Sequence, residues 1–391
     1  MAPNNLKFWL LISFVLVSGF SQGMLLPVLA ILLEQSGVPS SVNGLHATGL
    51  YIGVLIASPF MEKPLQKLGY KPIILVGGLL VFLSLALFPL WQALWFWFIL
   101  RLLVGIGDHM LHFATQTWIT SNSPVEKRGR NIALYGLFFS LGFSIGPMMT
   151  RLLSVHEHLP FIVSAGIAFL VWIGMFFIRN EFVEADAHEI ETTRNQSSMT
   201  RFYKAGKIAW IALLAPFTYG ILETSLHSTF PIYGLRLGYS VDLLAFLIPT
   251  FSLASLITQI PLGIWSDRIG RKAVLKIVVL LGMIAFIIGA FMEEHIIWVF
   301  FTFIFAGLCI GSLYSLGVSF MTDLLPRTLL PAGNILCGIA FSLGSISGPY
   351  LGGIFLEWFP GISFFYFIAF MLLLVLILLF KKTRSLGTIA T

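Results

Sequence analysis

Two groups of ionisable side chains lie inside long apolar runs. Arg101, Gly105, Asp108 and His112 are spaced four, three and four residues apart, which puts them on one stripe of a helix. Tyr219, Glu223 and His227 stand at i, i+4 and i+8 in another run, again one helical face, with Glu223 close to mid-membrane by residue count. A charge inserted at membrane depth costs at least ~2.5 kcal/mol, so each such residue needs a reason. Static pairing is one: Arg101 with Asp108, or Glu223 with His227. Proton coupling is another, because a carboxyl in a low-dielectric cavity can alternate between binding H⁺ and binding a cationic ligand. Glu223 suits that role best, since no cation lies beside it in the sequence. His46 and His109 fit packing or hydrogen bonding, and His156, His158 and His295 fit solvated loops.

The elements that carry these residues dominate the chain. Of 391 residues, 58% are hydrophobic and 10% charged, and the mean hydropathy of +0.93 makes lipid the solvent. A spanning helix takes ~20 residues. Apolar stretches of that length lie near 8–33, 43–61, 73–90, 94–119, 131–150, 160–178, 208–235, 243–264, 274–291, 296–321, 332–355 and 363–380. These twelve leave room only for short connections, so no large soluble domain fits. After Lys7 the first stretch runs to about Leu33 without a small-residue cleavage site, the pattern of an uncleaved first helix. Cys309 and Cys337 fall in apolar runs and read as buried side chains rather than as a disulfide or metal ligands.

The formal charge of +6 comes from short basic clusters between the runs, so it signals topology and not nucleic acid. With the N-terminus in the cytoplasm, the inside loops and tails collect all of the 23 Lys and Arg except Arg101, Arg151 and Arg236. Glu157, Glu293, Glu294 and Glu357 fall in the opposite loops. One polar stretch, Asn180 to Lys207, divides the helices six to six: a bundle at 1–179, a cytoplasmic linker at 180–207 and a second bundle at 208–391. The linker carries Glu181, Glu184, Asp186, Glu189 and Glu191, then Asn195, Gln196, Ser197 and Ser198. It reads as partly disordered or amphipathic and is open to a regulatory role.

The halves repeat. The octet Ser140 to Pro147 (SLGFSIGP) matches Ser342 to Pro349 (SLGSISGP) at a displacement of 202. Gly105 matches Gly307 and Pro124 matches Pro326 at the same displacement, and Gly69 matches Gly270 at 201. Two parallel six-helix repeats suit a protein that rocks one half against the other around a central site. Proline breaks at Pro27 in the first helix, near Phe20 and Gln22, and at Pro231 in the seventh would open backbone groups towards such a site.

The run Gly263-Ile264-Trp265-Ser266-Asp267-Arg268-Ile269-Gly270-Arg271-Lys272 resembles the major facilitator superfamily loop signature, G-x-x-x-D-R-x-G-R-[KR]. It falls between the second and third helices of its half, where that family places it. The resemblance covers the whole chain and implies two six-helix bundles around a cavity. It also implies a cytoplasmic gate at Gly263, Asp267, Arg268, Gly270, Arg271 and Lys272. There the glycines would let a turn pass close to neighbouring helices, and Asp267 would face the positive end of a helix in the other half. The first half departs from the signature: Glu62 and Gln66 replace the leading glycine and the aspartate, and Ser121 stands where the second half has Asp323. The expectation is an asymmetric latch whose ionic part is Asp267, Arg271 and Asp323.

Gly142-x-x-x-Gly146-Pro147 resembles the antiporter motif of the family's drug exporters, with Thr150 and Arg151 where two glycines are usual. A fuller spelling, Gly348-Pro349-Tyr350-Leu351-Gly352-Gly353, follows Gly344 in the eleventh helix. Close packing of helices in lipid would explain these small residues equally well. Arg101 resembles the fourth-helix arginine of proton-linked exporters, although Val104 replaces the usual glutamine.

The resulting expectation is an all-α membrane protein of twelve transmembrane helices in two pseudo-symmetric bundles. It would sit as a monomer in the cell membrane among lipids, both termini cytoplasmic, without cofactor or metal. By alternating access it would move a small lipophilic or cationic compound outwards against protons. Two alternatives stand: proton-coupled transport of a hydrophilic metabolite such as a sugar or amino acid derivative, served by Gln22, Asn43, Gln116, Thr117 and Gln259, or a membrane sensor or lipid-handling protein on the same scaffold. An enzyme is not indicated: G-x-x-x-x-G-K-[ST] and H-E-x-x-H patterns are missing, and the two G-x-S-x-G spellings, at Gly19 to Gly23 and Gly142 to Gly146, lie inside apolar runs and not at a strand-to-helix turn.

Overall fold

A computed structural model of the chain describes residues 2–123, 125–182 and 198–381. Pro124, the linker residues Glu184, Asp186, Glu189, Glu191, Arg194, Asn195, Gln196 and Ser197, and the tail residues Lys382 and Arg384 lie outside the described residues. So do the side chains of Glu62, Arg128, Ser198 and Arg327.

Long apolar runs in lipid must satisfy their backbone groups within the segment, and the described residues do so as helices, with no strand among them. Ten helices are long and apolar enough to span: α1 (Leu6–Gln35), α3 (Tyr70–Leu90), α4 (Leu94–Asn122), α5 (Arg130–Ser154), α6 (Leu159–Phe177), α7 (Thr200–Arg236), α8 (Val241–Ile269), α9 (Arg271–Met292), α10 (Ile296–Leu324) and α11 (Leu330–Trp358). The twelve expected stretches are completed by the broken α2 (Ser40–Ala47 and Gly49–Ala57) and the shorter α12 (Phe364–Leu379).

Three local irregularities have identifiable causes. In α2 the Thr48 hydroxyl bonds back to the Leu45 carbonyl at 2.6 Å, at the residue where the helix is interrupted. In α5 the α-helix gives way to a 3₁₀ stretch, Gly146–Ser154, because Pro147 cannot donate to the α-helical ladder. In α7 a π-helical turn, Ser225–Thr229, precedes Pro231. The wider turn gives room to the carbonyl four residues before the proline, which its ring would otherwise strike. The expectation of paired proline breaks is thereby corrected: α1 runs through Pro27 as one helix, and only α7 is interrupted.

The chain forms two compact units, Met1–Glu184 with His227–Pro249, and Ala185–Leu226 with Thr250–Thr391. In the first, α1 packs on α4, α5 and α6, α2 packs on α4, and α3 packs on α4 and α6. Met24, Leu25, Val28 and Leu29 of α1 are fully buried. In the second, α7 packs on α10 and α11, and α9 packs on α10 and α12.

The sequence repeat reappears as a repeat of contacts. A Cβ on Gly142 would lie 2.0 Å from the Leu16 carbonyl oxygen, and one on Gly344 2.0 Å from that of Phe217. Gly146 meets Phe20 as Gly348 meets Ile221, Gly19 meets Phe139 as Gly220 meets Phe341, and Gly105 meets Leu50 as Gly307 meets Phe251. In every case both partners shift by 201 or 202 residues between the halves. These glycines bring α5 onto α1 and α4 onto α2 in one half, and α11 onto α7 and α10 onto α8 in the other, at backbone contact, where dispersion and close packing hold helices together in lipid.

Gly142→Ala and Gly344→Ala should therefore each destabilise the detergent-solubilised protein by about 1–3 kcal/mol in thermal unfolding. Gly136→Ala and Gly338→Ala, on the same two helices but facing open space, should leave it unchanged or slightly raised. Equal effects at all four positions would contradict backbone contact as the cause.

Candidate functional site

The helical stripe expected on α4 packs against α1 and α5. Arg101 is 1% exposed, and its Nη2 donates to the Leu25 carbonyl at 3.1 Å, while Nη1 has no hydrogen-bond partner among the described residues. Asp108 is fully buried and accepts a 2.6 Å bond from the Ser18 hydroxyl on its Oδ1. Its Oδ2 makes no hydrogen bond of good geometry among the described residues, but the Gln22 amide of α1 lies close enough to interact with the carboxyl. Ser18 Oγ also lies 3.0 Å from His112 Nε2, and His112 Nδ1 hydrogen-bonds the Tyr135 hydroxyl of α5. Arg101 and Asp108 form no ion pair among the described residues, which removes their static pairing. Seven residues apart on one helix, they are separated by about 10 Å along its axis.

On α7 the Tyr219 hydroxyl donates to Glu223 Oε1 at 2.8 Å, and Glu223 is 7% exposed. His227 lies beyond the start of the π turn and sets its ring 4.6 Å from that of Phe143. The π turn changes the angular step per residue, so the simple i, i+4, i+8 stripe does not continue unaltered through His227. Thr224, Ser225, Ser228 and Thr229 are buried around it, a run of hydroxyls that sequence reasoning passed over in favour of the charged neighbours. Ser18 and Tyr135 were missed for the same reason: a single hydroxyl in an apolar helix carries no signal until its partner is known.

The three arginines that stood apart from the basic clusters are each accounted for. Arg101 is buried as described; Arg236 Nε reaches Glu34 at 2.8 Å and its Nη2 reaches Ser40; Arg151 meets Asp242 at 3.1 Å and lies over the Phe246 ring. All of these lie within the first unit. His46 bonds the Leu94 carbonyl and His109 stacks on Phe113, while His156 and His295 are exposed. Gly142, Gly146, Gly344 and Gly348 make the helix contacts given above, Pro147 opens the 3₁₀ stretch, and Pro349 and Gly352 are buried within α11. Cys309 and Cys337 are free and buried, and no cluster of three or more His, Cys, Asp or Glu suited to a metal occurs among the described residues.

Arg271, the first residue of α9, gathers the loop-signature acid Asp267 and Asp323 of α10. It pairs with Asp267, reaches Asp323 at 3.3 Å, and bonds Ser266 and the Gly263 carbonyl. Lys272 bonds the Lys381 carbonyl, and Arg268 is exposed. The expected role of the glycines is corrected: neither Gly263 nor Gly270 has a neighbour within 4 Å of a Cβ position among the described residues. Gly270 is needed for its φ of 94°, as Gly69 is for its φ of 82°.

The first half meets the same demand differently. Tyr70, at the position of Arg271, stacks on Trp118 and donates to Ser121 at 3.3 Å, the position of Asp323. The missing acid comes from beyond α6: Glu181 takes hydrogen bonds from Lys7 at 2.8 Å, from the Trp118 indole at 2.6 Å and from Asn122. Its carbonyl accepts from the Tyr70 amide, and Asn180 bonds both the Leu68 carbonyl and the Lys71 amide. An ion pair thus exists in each half, Lys7 with Glu181 in the first and Arg271 with Asp267 and Asp323 in the second. Burial pushes the Glu181 carboxyl up, but the bonds from Lys7 and Trp118, the Lys7 charge and Asn122 outweigh it and hold it below the ordinary glutamate value. A group depressed in this way stabilises the fold at neutral pH and loses that contribution only as pH falls through its folded value. Glu181→Ala should speed amide exchange at Tyr70 and Lys71 at least about fivefold, the equivalent of ~1 kcal/mol of lost clamping. Unchanged exchange there would separate the clamp from the loop.

The family model for the Major Facilitator Superfamily matches residues 11–249 and 213–388. The MFS-type transporter YfkF of Bacillus subtilis (strain 168) is 52% identical over 384 residues, 98% of this chain and 97% of that one. Multidrug resistance protein 2 of the same organism is 22% identical over 359 residues, 90% of this chain and 88% of its own length. The crystal structure of a D-xylose-proton symporter superposes with a TM-score of 0.76 at 14% identity, covering 97% of this chain and 99% of that one, a likeness of fold. With twelve apolar helical segments, a repeated set of helix contacts and the loop signature built around Arg271, this chain belongs to the Major Facilitator Superfamily of membrane transporters.

Proposed function

We propose that the protein exports a small lipophilic or cationic compound in exchange for protons, with Asp108 and Glu223 as the groups that take up and release H⁺. One observation carries the reading: two carboxyls buried in spanning helices are each held by a hydroxyl, Ser18 on Asp108 and Tyr219 on Glu223. A hydroxyl donates to a carboxylate and accepts from a carboxylic acid, so the same contact serves both protonation states. A fixed cation would serve only one. The relative named for multidrug resistance agrees with export, and the glycine and proline motifs of α5 and α11 agree with an exporter's helix packing.

The functional halves are 1–179 and 208–391, joined by the linker 180–207. The basic loops lie in the cytoplasm with both termini, the protein sits in the cell membrane as a monomer among lipids, and Asp267, Arg271 and Asp323 close the cytoplasmic side. A second reading, proton-coupled transport of a hydrophilic metabolite, is favoured by the buried hydroxyls Thr224, Ser225, Ser228 and Thr229, which suit a ligand rich in hydrogen-bonding groups.

In liposomes with an imposed pH gradient, the purified wild-type protein should move ethidium against its own gradient. Glu223→Gln should lower that flux by roughly 10²-fold while leaving the folded protein intact by thermal unfolding. Undiminished gradient-driven flux in the variant would remove Glu223 from the mechanism. Flux of a sugar, but not of ethidium, in the wild-type protein would favour the second reading.

A further inference from the structure

We infer that Tyr135, His112 and Ser18 form a proton-conducting chain that loads and unloads Asp108. The assignment rests on the proton-coupled reading for its purpose but not for its geometry. Asp108 is sealed at 0% exposure and Ser18 at 1%, whereas His112 and Tyr135 are half-buried, so exposure rises along the chain from the carboxyl outwards. The contacts are continuous: Ser18 Oγ to Asp108 Oδ1 at 2.6 Å, Ser18 Oγ to His112 Nε2 at 3.0 Å, and His112 Nδ1 to the Tyr135 hydroxyl. Three helices supply the chain, α1 with Ser18, α4 with Asp108 and His112, and α5 with Tyr135. Close approach of α5 to α1 through Gly142 and Gly19 holds two of them in register.

The donors order themselves once Asp108 is ionised. A carboxylate only accepts, so Ser18 must give it the O–H; Ser18 Oγ then accepts from His112 Nε2–H, and His112 Nδ1 accepts from Tyr135 O–H. A proton arriving at Tyr135 Oη lets the tyrosine's own proton pass to His112 Nδ1. The Nε2 proton then passes to Ser18 Oγ, and the serine proton passes to Asp108 Oδ1. Each O–H or N–H bond broken is replaced by one formed, one proton enters, and Asp108 becomes the neutral acid. The chain is left with reversed polarity, Asp108 donating to Ser18, Ser18 to His112 and His112 to Tyr135. It is therefore ready to run outwards without any ring having to turn.

The other titratable groups on the elements packed against α4 lie away from this point. His46, Tyr51, Glu34 and Arg151 belong to one end of the unit, and Lys7, Tyr70, Lys71 and Arg130 to the other. On α4 itself, Arg101 lies two turns away, held at the Leu25 carbonyl, and His109 stacks on Phe113. The chain thus ends on Asp108 alone.

The test follows Asp108 itself, in protein reconstituted without substrate. After a rapid pH jump, time-resolved infrared spectroscopy reads the carboxylic acid C=O band, assigned to Asp108 by its loss in Asp108→Asn. Tyr135→Phe and Ser18→Ala should each slow the appearance of that band by at least about tenfold, and Ser18→Thr, which restores the hydroxyl, should recover the rate. Wild-type kinetics in Tyr135→Phe and Ser18→Ala would overturn the chain, as would a wild-type protein in which no Asp108 band appears at any pH. If the chain kinetics hold but ethidium flux is independent of pH, coupled export fails and the proton path stands. If flux is coupled but the variants load Asp108 at the normal rate, the path fails and the function stands.

Discussion

Hydrocarbon offers no hydrogen bonds, and most of this molecule follows from that single constraint. Polar groups in a spanning segment are driven to find partners within the protein, so the backbone coils into helices and Arg101, Asp108 and Glu223 are each held by at least one specific group. Arg101 spends its charge on a backbone carbonyl of α1, and Asp108 and Glu223 are held by hydroxyls. Even the irregularity before Pro231 obeys the rule, because a π turn redistributes the backbone bonds that the proline would otherwise disrupt. With polar partners so scarce, helix association relies on contact, and the repeated glycines bring carbonyl oxygens within reach of the facing backbone.

The same constraint explains what the sequence made legible. Apolar runs long enough to span announce themselves, and all twelve segments stand within several residues of their expected places. The repeat was readable because a close approach admits only glycine, so Gly142 and Gly344 had to be spelled alike. The positions of Leu16 and Phe217, which supply the facing carbonyls, were not readable: any side chain will serve where only the backbone touches. Asp108, His112, Tyr219 and Glu223 were visible because charge and polarity are rare in such runs.

What stayed hidden depended on neighbours distant in the chain. Glu181 looked like one acid among several in a polar linker, yet it fills a place in the first half that Gln66 and Ser121 leave without a carboxylate. Nothing in its local sequence distinguishes it from Glu184, because the distinction is made by Lys7 and Trp118. Ser18 and Tyr135 were hidden in the same way. Ser121 in the place of Asp323 reads in the sequence as a lost acid, and Tyr70 in the place of Arg271 carries no signal there. In three dimensions the two make the same contact as neutral groups, with the ionic part moved to the segment after α6.

We propose that the hydroxyl-held carboxyls join this architecture to transport, since a hydroxyl contact serves the charged and the neutral carboxyl alike. The most direct test is a count of protons on ligand binding. Ethidium added to the purified wild-type protein in weakly buffered detergent solution, with a pH indicator present, should release protons as it binds. The Asp108→Asn, Glu223→Gln double variant should release none. Binding without proton release in the wild-type protein, or undiminished release in the double variant, would contradict the account.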